Sequence, residues 1–130
     1  MGRMLNAMPW IAIVDDDPSV LKALGRLLKV HALEARTFTS AQEFLAALPE
    51  ELPECLIVDL QMPEMTGLDL QYHLTRTGIK IPTIVITAHN ENDARDRCES
   101  AGVSAFLLKP VRDTVLIAAI EKARRENPTT

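Results

Sequence analysis

CLIVDLQMPEMTG, residues 55–67, holds the line on which the fold turns. Cys55, Leu56, Ile57 and Val58 form an unbroken apolar run, the pattern of a strand covered on both faces. The run ends at Asp59, with Leu60 straight after it. An unpaired charge is costly to desolvate. An acid at the end of a core strand is therefore either a local cap or turn residue, or a group placed to serve a charged ligand.

Four other apolar runs share the chain with it: WIAIV (10–14), ALEARTF (32–38), PTIVIT (82–87) and SAFLL (104–108). The run at 32–38 is polar and alternating, which places it at a sheet edge. Helical patterns lie between the runs. Residues 18–30 put Val20, Leu21, Leu24, Leu27 and Leu28 on one stripe, with Asp17 as cap and Pro18 at the first helical position. Residues 40–48 open on a capping-box pattern, Ser40 to Glu43, and stop at Pro49. Residues 66–76 carry Leu68, Leu70 and Leu74 after Thr66. Residues 91–101 are very polar, with a stripe of only Ala94, Cys98 and Ala101, and Gly102 closes them. Residues 112–124 carry Val115, Leu116, Ile117 and Ile120, more apolar positions than one buried stripe needs. The alternation predicts an α/β fold, (βα)5 and doubly wound, with five parallel strands and helices on both faces. Residues 1–9 are expected to be an N-terminal extension, 10–124 one domain, and 125–130 a frayed tail.

The bulk numbers narrow the function. The chain has 130 residues, 47% hydrophobic and 25% charged, a size and composition for one domain. Net charge is −4, and the only paired basic residues are Arg124 and Arg125, so the chain lacks the basic footprint of a nucleic-acid binder. No apolar stretch approaches the ~20 residues of a membrane span. Cys55 and Cys98 stand in strand and helix patterns with no metal-ligand spacing. They read as reduced packing residues, which suits a cytoplasmic setting.

In open α/β sheets, ligands sit outside the carboxyl ends of the strands. The residues there are Asp15, Asp16 and Asp17 after the first strand, Asp59 at the end of the third, Thr87 at the end of the fourth and Lys109 after the fifth. Each alone has a plain structural use: Asp17 as a cap, Asp15 in a turn, Thr87 as β-branched filler, Lys109 as a solvated charge. Together they converge on one edge. Three close carboxylates repel one another and call for a cation. All-oxygen ligation favours Mg²⁺, which takes a few carboxylates together with waters and phosphate oxygens.

The set VDDDP (14–18), VDLQMPEMTG (58–67), ITA (86–88) and FLLKP (106–110) resembles the receiver domain of two-component response regulators. The resemblance covers the chain from about Trp10 to Ala123. It implies the strand order 2-1-3-4-5 and a cis Lys109–Pro110 peptide. It implies Asp59 as phosphoacceptor, Asp16 as a direct Mg²⁺ ligand, Asp15 acting mainly through water, and the backbone carbonyl of Gln61 as a further ligand. Thr87 would hydrogen-bond an incoming phosphoryl oxygen, Lys109 would pair with another, and Phe106 matches the family's switch aromatic. Gln61 and His89, each two residues past a site residue, would flank the phosphoryl group. The implied partner is a histidine kinase or phosphotransfer protein. The segment 91–124 is the implied output face and a candidate surface for a phosphorylation-dependent homodimer. The alternative is a Mg²⁺-dependent phosphohydrolase that forms an aspartyl phosphate. Such enzymes typically carry a second acid two residues past the nucleophile, where this chain has Gln61. A nucleotide-binding flavodoxin-like protein is disfavoured too, because no glycine-rich loop follows the first strand.

Overall fold

The computed structural model describes residues 9–48, 51–88 and 92–126. His89 lies outside them. Five strands alternate with five helices: β1 (Ile11–Val14), α1 (Pro18–Val30), β2 (Ala35–Phe38), α2 (Ala41–Ala46), β3 (Cys55–Asp59), α3 (Gly67–Arg76), β4 (Thr83–Thr87), α4 (Asn92–Ser100), β5 (Ala105–Leu108) and α5 (Asp113–Glu126). All strand pairs are parallel, and the order is β2-β1-β3-β4-β5. The polar run that was assigned to an edge is β2, at one end of the sheet.

Alternation along each strand divides the core in two. Ile11, Ile13, Cys55, Ile57, Ile84 and Ile86 meet Leu21 and Leu28 of α1 and Leu116, Ile120 and Ala123 of α5. Ala12, Val14, Leu56, Val58, Val85 and Phe106 belong to the opposite layer, with Phe44 of α2, Leu70 and Leu74 of α3, and Ala94 and Cys98 of α4. Both faces are thus covered, which is why β1, β3 and β4 read as nearly continuous apolar runs.

The helix starts follow local chemistry. Asp17 caps α1, its carboxylate accepting from the Ser19 N–H at 2.9 Å, and Pro18 takes the first turn. At α2, half of the expected capping box forms. The Ser40 hydroxyl accepts from the Glu43 N–H at 3.0 Å, while the Glu43 carboxylate turns to the backbone N–H of Thr39 at 2.6 Å. The complete reciprocal box is at α3, between Thr66 and Asp69. Gly102 takes φ 89° just past the end of α4, the left-handed stop expected there.

Most element boundaries shift by one or two residues from the sequence expectation, and three of these shifts are informative. The first strand begins at Ile11, one residue after Trp10. β2 begins at Ala35, because Ala32 at φ 59° turns the chain after α1. α5 runs to Glu126, so the expected tail yields its first two residues to the helix. On α5, Val115 is exposed and Ile117 is half-buried, so part of its apolar surplus faces outward.

Candidate functional site

The parallel sheet brings the carboxyl ends of β1, β3, β4 and β5 to one edge. Asp15 leaves β1 with its side chain fully buried. One of its oxygens accepts from the Asp17 N–H at 2.9 Å, and the other accepts from the Lys109 ammonium at 3.1 Å. Asp59 is 6% exposed. Its Oδ1 accepts from the Gln61 N–H at 3.2 Å, and its Oδ2 lies 3.5 Å from Lys109 Nζ. Lys109 therefore reaches from beyond the edge strand β5 across the end of β4 to two acids. Asp16 is exposed, yet its carboxylate completes a cluster with Asp15 and Asp59 in which the three oxygens lie within 4.8 Å of one another.

This geometry answers the problem set by the acid at the end of β3. Burial pushes the Asp59 carboxyl above the usual carboxylate range, and the Asp15 charge pushes it further. The ammonium of Lys109 and the Gln61 N–H offset only part of this. Burial works the other way on Lys109, drawing its ammonium down, but the hydrogen bond to Asp15 and the two carboxylate charges outweigh it and leave it raised. Among the described residues, one cation meets this cluster of three acids, which leaves the set net negative.

Of the remaining expected residues that are described, Thr87, Gln61 and the Lys109–Pro110 peptide lie at the same edge, and Phe106 lies two positions back along β5. Thr87 is buried at the end of β4. Gln61 is exposed and follows Asp59 closely enough to donate its N–H to it. Phe106 of β5 is 9% exposed and lies opposite Val85. Lys109–Pro110 is cis. Asp17 turns away to its capping role and is held below the usual carboxylate range, first by the Ser19 hydroxyl. Burial pushes the Cys55 thiol up to about 12 and also raises Cys98, so both remain packing groups.

Two residues went unremarked in the sequence. Gly67 opens α3 directly behind Asp59: a Cβ there would sit 2.7 Å from the Asp59 carbonyl oxygen. The Thr66–Gly67 pair that ends the opening stretch was the available signal. Arg95 of α4 sets its guanidinium 4.8 Å from the centroid of the Phe106 ring. Nothing in the polar sequence of that helix distinguishes Arg95 from its neighbours.

The description Response regulator receiver domain matches residues 11–121. The chain is 40% identical over 118 residues to Response regulator protein TmoT of Ectopseudomonas mendocina, covering 91% of this chain and 54% of that protein. It is 39% identical over 113 residues to Transcriptional regulatory protein FixJ of Rhizobium meliloti (strain 1021), covering 87% of this chain and 55% of that one. The chain thus spans about half the length of these curated relatives. Among solved structures, that titled "Crystal structure of FixJ-N" superposes with a TM-score of 0.84 at 37% identity, over 92% of this chain and 95% of that one. The response regulator StyR superposes with a TM-score of 0.88 at 38% identity, over 95% of this chain and 62% of that one. With its sheet order, its acid cluster and its lysine accounted for by one architecture, the chain belongs to the response regulator receiver domain family.

Proposed function

We propose that Asp59 is the residue on which this receiver is phosphorylated, and that the donor is a phosphohistidine on a partner kinase or phosphotransfer protein. A carboxylate oxygen of Asp59 attacks phosphorus, the phosphorus–nitrogen bond breaks, and the imidazole leaves with its electron pair as an acyl phosphate forms. The observation that carries the reading is the placement of Asp59: nearly buried, beside a second carboxylate, with the Lys109 ammonium 3.5 Å away. Lys109 is placed to offset charge on the transferring group.

The donor set supports a hard divalent cation. Among the described residues it consists of three carboxylates with no sulfur or imidazole, and its charge exceeds what one lysine offsets. Asp15, Asp16, Asp59 and the backbone carbonyl of Gln61 are the groups that would hold Mg²⁺. When bound, Mg²⁺ supplies further positive charge to the phosphoryl oxygens. Thr87 acts as the hydrogen-bond donor to one of those oxygens. Its movement leaves room into which Phe106 rotates, a local charge event passed to a two-state element. The output face is α4, β5 and α5, with a second copy of the chain as a partner in the phosphorylated state. A helix with two small buried residues, the exposed Leu108 and the exposed Val115 favour that face. The domain runs from residue 10 to the end of α5 at Glu126, acts in the cytoplasm, and binds no nucleic acid through this segment. Among the described residues no helix is long and apolar enough to cross a membrane.

Incubation with acetyl phosphate and Mg²⁺ should add one phosphoryl group, on Asp59, and Asp59→Asn should abolish it while still melting cooperatively. Mass spectrometry of the intact chain and its peptides reads both. Equal labelling of the variant, or labelling at another residue, refutes the assignment.

A further inference from the structure

We propose that Arg95 is a positioning residue for the switch, holding the Phe106 ring where it lies before phosphorylation. The inference rests on the reading of Thr87 and Phe106 as the switch pair. Phe106 sits on β5 two positions before Leu108, the partner of Thr87 in the sheet register. The Arg95 guanidinium stands 4.8 Å from the ring centroid, within cation–π range. Among the described residues, α4 has few large apolar anchors of its own, although Gln71 donates to the Ala101 carbonyl just past its end at 3.2 Å. Its buried residues are Ala94 and Cys98, both small. Arg97 is engaged with Asp93 at 2.9 Å on the exposed side of the same helix. A planar cation on an aromatic face is thus a substantial hold between a very polar helix and the edge strand.

The consequence for the switch is directional. Rotation of the ring toward Thr87 withdraws it from the guanidinium. Either the stack breaks or α4 follows the ring. The contact therefore resists the change and, once the change occurs, passes it to α4. A cation–π contact at an exposed site is worth about a two- to fivefold shift in an equilibrium. Where the switched conformation is the minor one, multiplying its population multiplies the apparent affinity of any ligand that selects it.

Beryllofluoride with Mg²⁺ is the probe, because it occupies a phosphoryl site without covalent transfer. Fluorophenylalanine labels the three phenylalanines, Phe38, Phe44 and Phe106. The Phe106 resonance is assigned by its loss in Phe106→Leu. Arg95→Met keeps an unbranched stem and removes the cation. It should move the Phe106 resonance of the unmodified protein, leave Phe38 and Phe44 in place, and lower the beryllofluoride midpoint about two- to fivefold. Arg95→Lys should recover part of both effects. Loss of a positive charge near an anion site would by itself weaken binding. The expected tightening has the opposite sign, so a general electrostatic effect cannot imitate it. An unchanged or raised midpoint, with a Phe106 resonance that still moves at saturation, overturns the role of Arg95 and leaves the switch reading standing. If saturation, judged by the melting temperature, leaves the Phe106 resonance unmoved in both proteins, both readings fall.

Discussion

At the scale of single residues, Asp59 carries a cost to folding. Its carboxyl is raised above the ordinary value of 3.8, by burial first and then by Asp15. The folded chain thus binds this proton more tightly than the unfolded chain does. In the metal-free protein the ionised group opposes folding at neutral pH, and the penalty fades as pH falls through the raised value toward 3.8. Asp59→Asn carries no such penalty at any pH. Urea unfolding in the presence of EDTA should therefore find the variant more stable near pH 7, with the gap closing on acidification toward pH 4. A gap that stays constant with pH would show that ionisation of Asp59 is not its cause. The sequence made the acid conspicuous, because it interrupts an apolar run. It could not show which oxygen meets Lys109 or how far Asp15 is buried, since those depend on strands distant in sequence meeting at one edge.

At the scale of elements, the corner from β3 into α3 fixes where Asp59 points. Gly67 is buried against that corner, and its N–H donates to the Leu60 carbonyl at 3.2 Å. Gly67→Ala places a methyl 2.7 Å from the Asp59 carbonyl oxygen, a backbone atom that cannot swing aside. The corner must open. We expect a loss of about 1–3 kcal/mol in stability from this overpacking, together with slower uptake of phosphate from acetyl phosphate. Full stability with full phosphorylation would mean the corner is compliant. Most elements were legible from periodicity and caps, since hydrophobic stripes and local hydrogen bonds are set within a few residues. The misplaced boundaries have non-local or conformational causes. The last turn of α5 is held by Ser104, which donates to Glu126 at 2.9 Å, and by Arg124, which pairs with Glu54 at 2.9 Å. Neither contact leaves a mark in the sequence near residue 124. The Arg95–Phe106 stack was invisible for a like reason: it depends on how α4 is rotated against the sheet.

At the scale of the whole molecule, the α/β class followed from alternation alone, while the strand order followed from the family resemblance, because periodicity does not rank parallel strands. Convergence of the site was legible because every β-to-α connection leaves the sheet on the same side. That convergence couples the acid cluster to global folding. A cation that binds the folded cleft and not the unfolded chain stabilises the fold by linkage, by about 1.4 kcal/mol at ten times its dissociation constant, or roughly 4–7 °C in Tm for a domain this size. Asp16→Asn should raise the Tm of the metal-free protein by relieving repulsion and should shrink the Mg²⁺ increment sharply. Calorimetry of both proteins with and without Mg²⁺ checks this, and an undiminished increment in the variant would exclude Asp16 as a ligand. The Lys109–Asp15 contact, finally, joins positions 94 residues apart. During synthesis, the acids of β1 and β3 leave the ribosome well before the lysine that offsets them. A half-made chain exposes carboxylates without their ammonium, and the edge reaches its native charge balance only when β5 docks and brings Lys109 to Asp15.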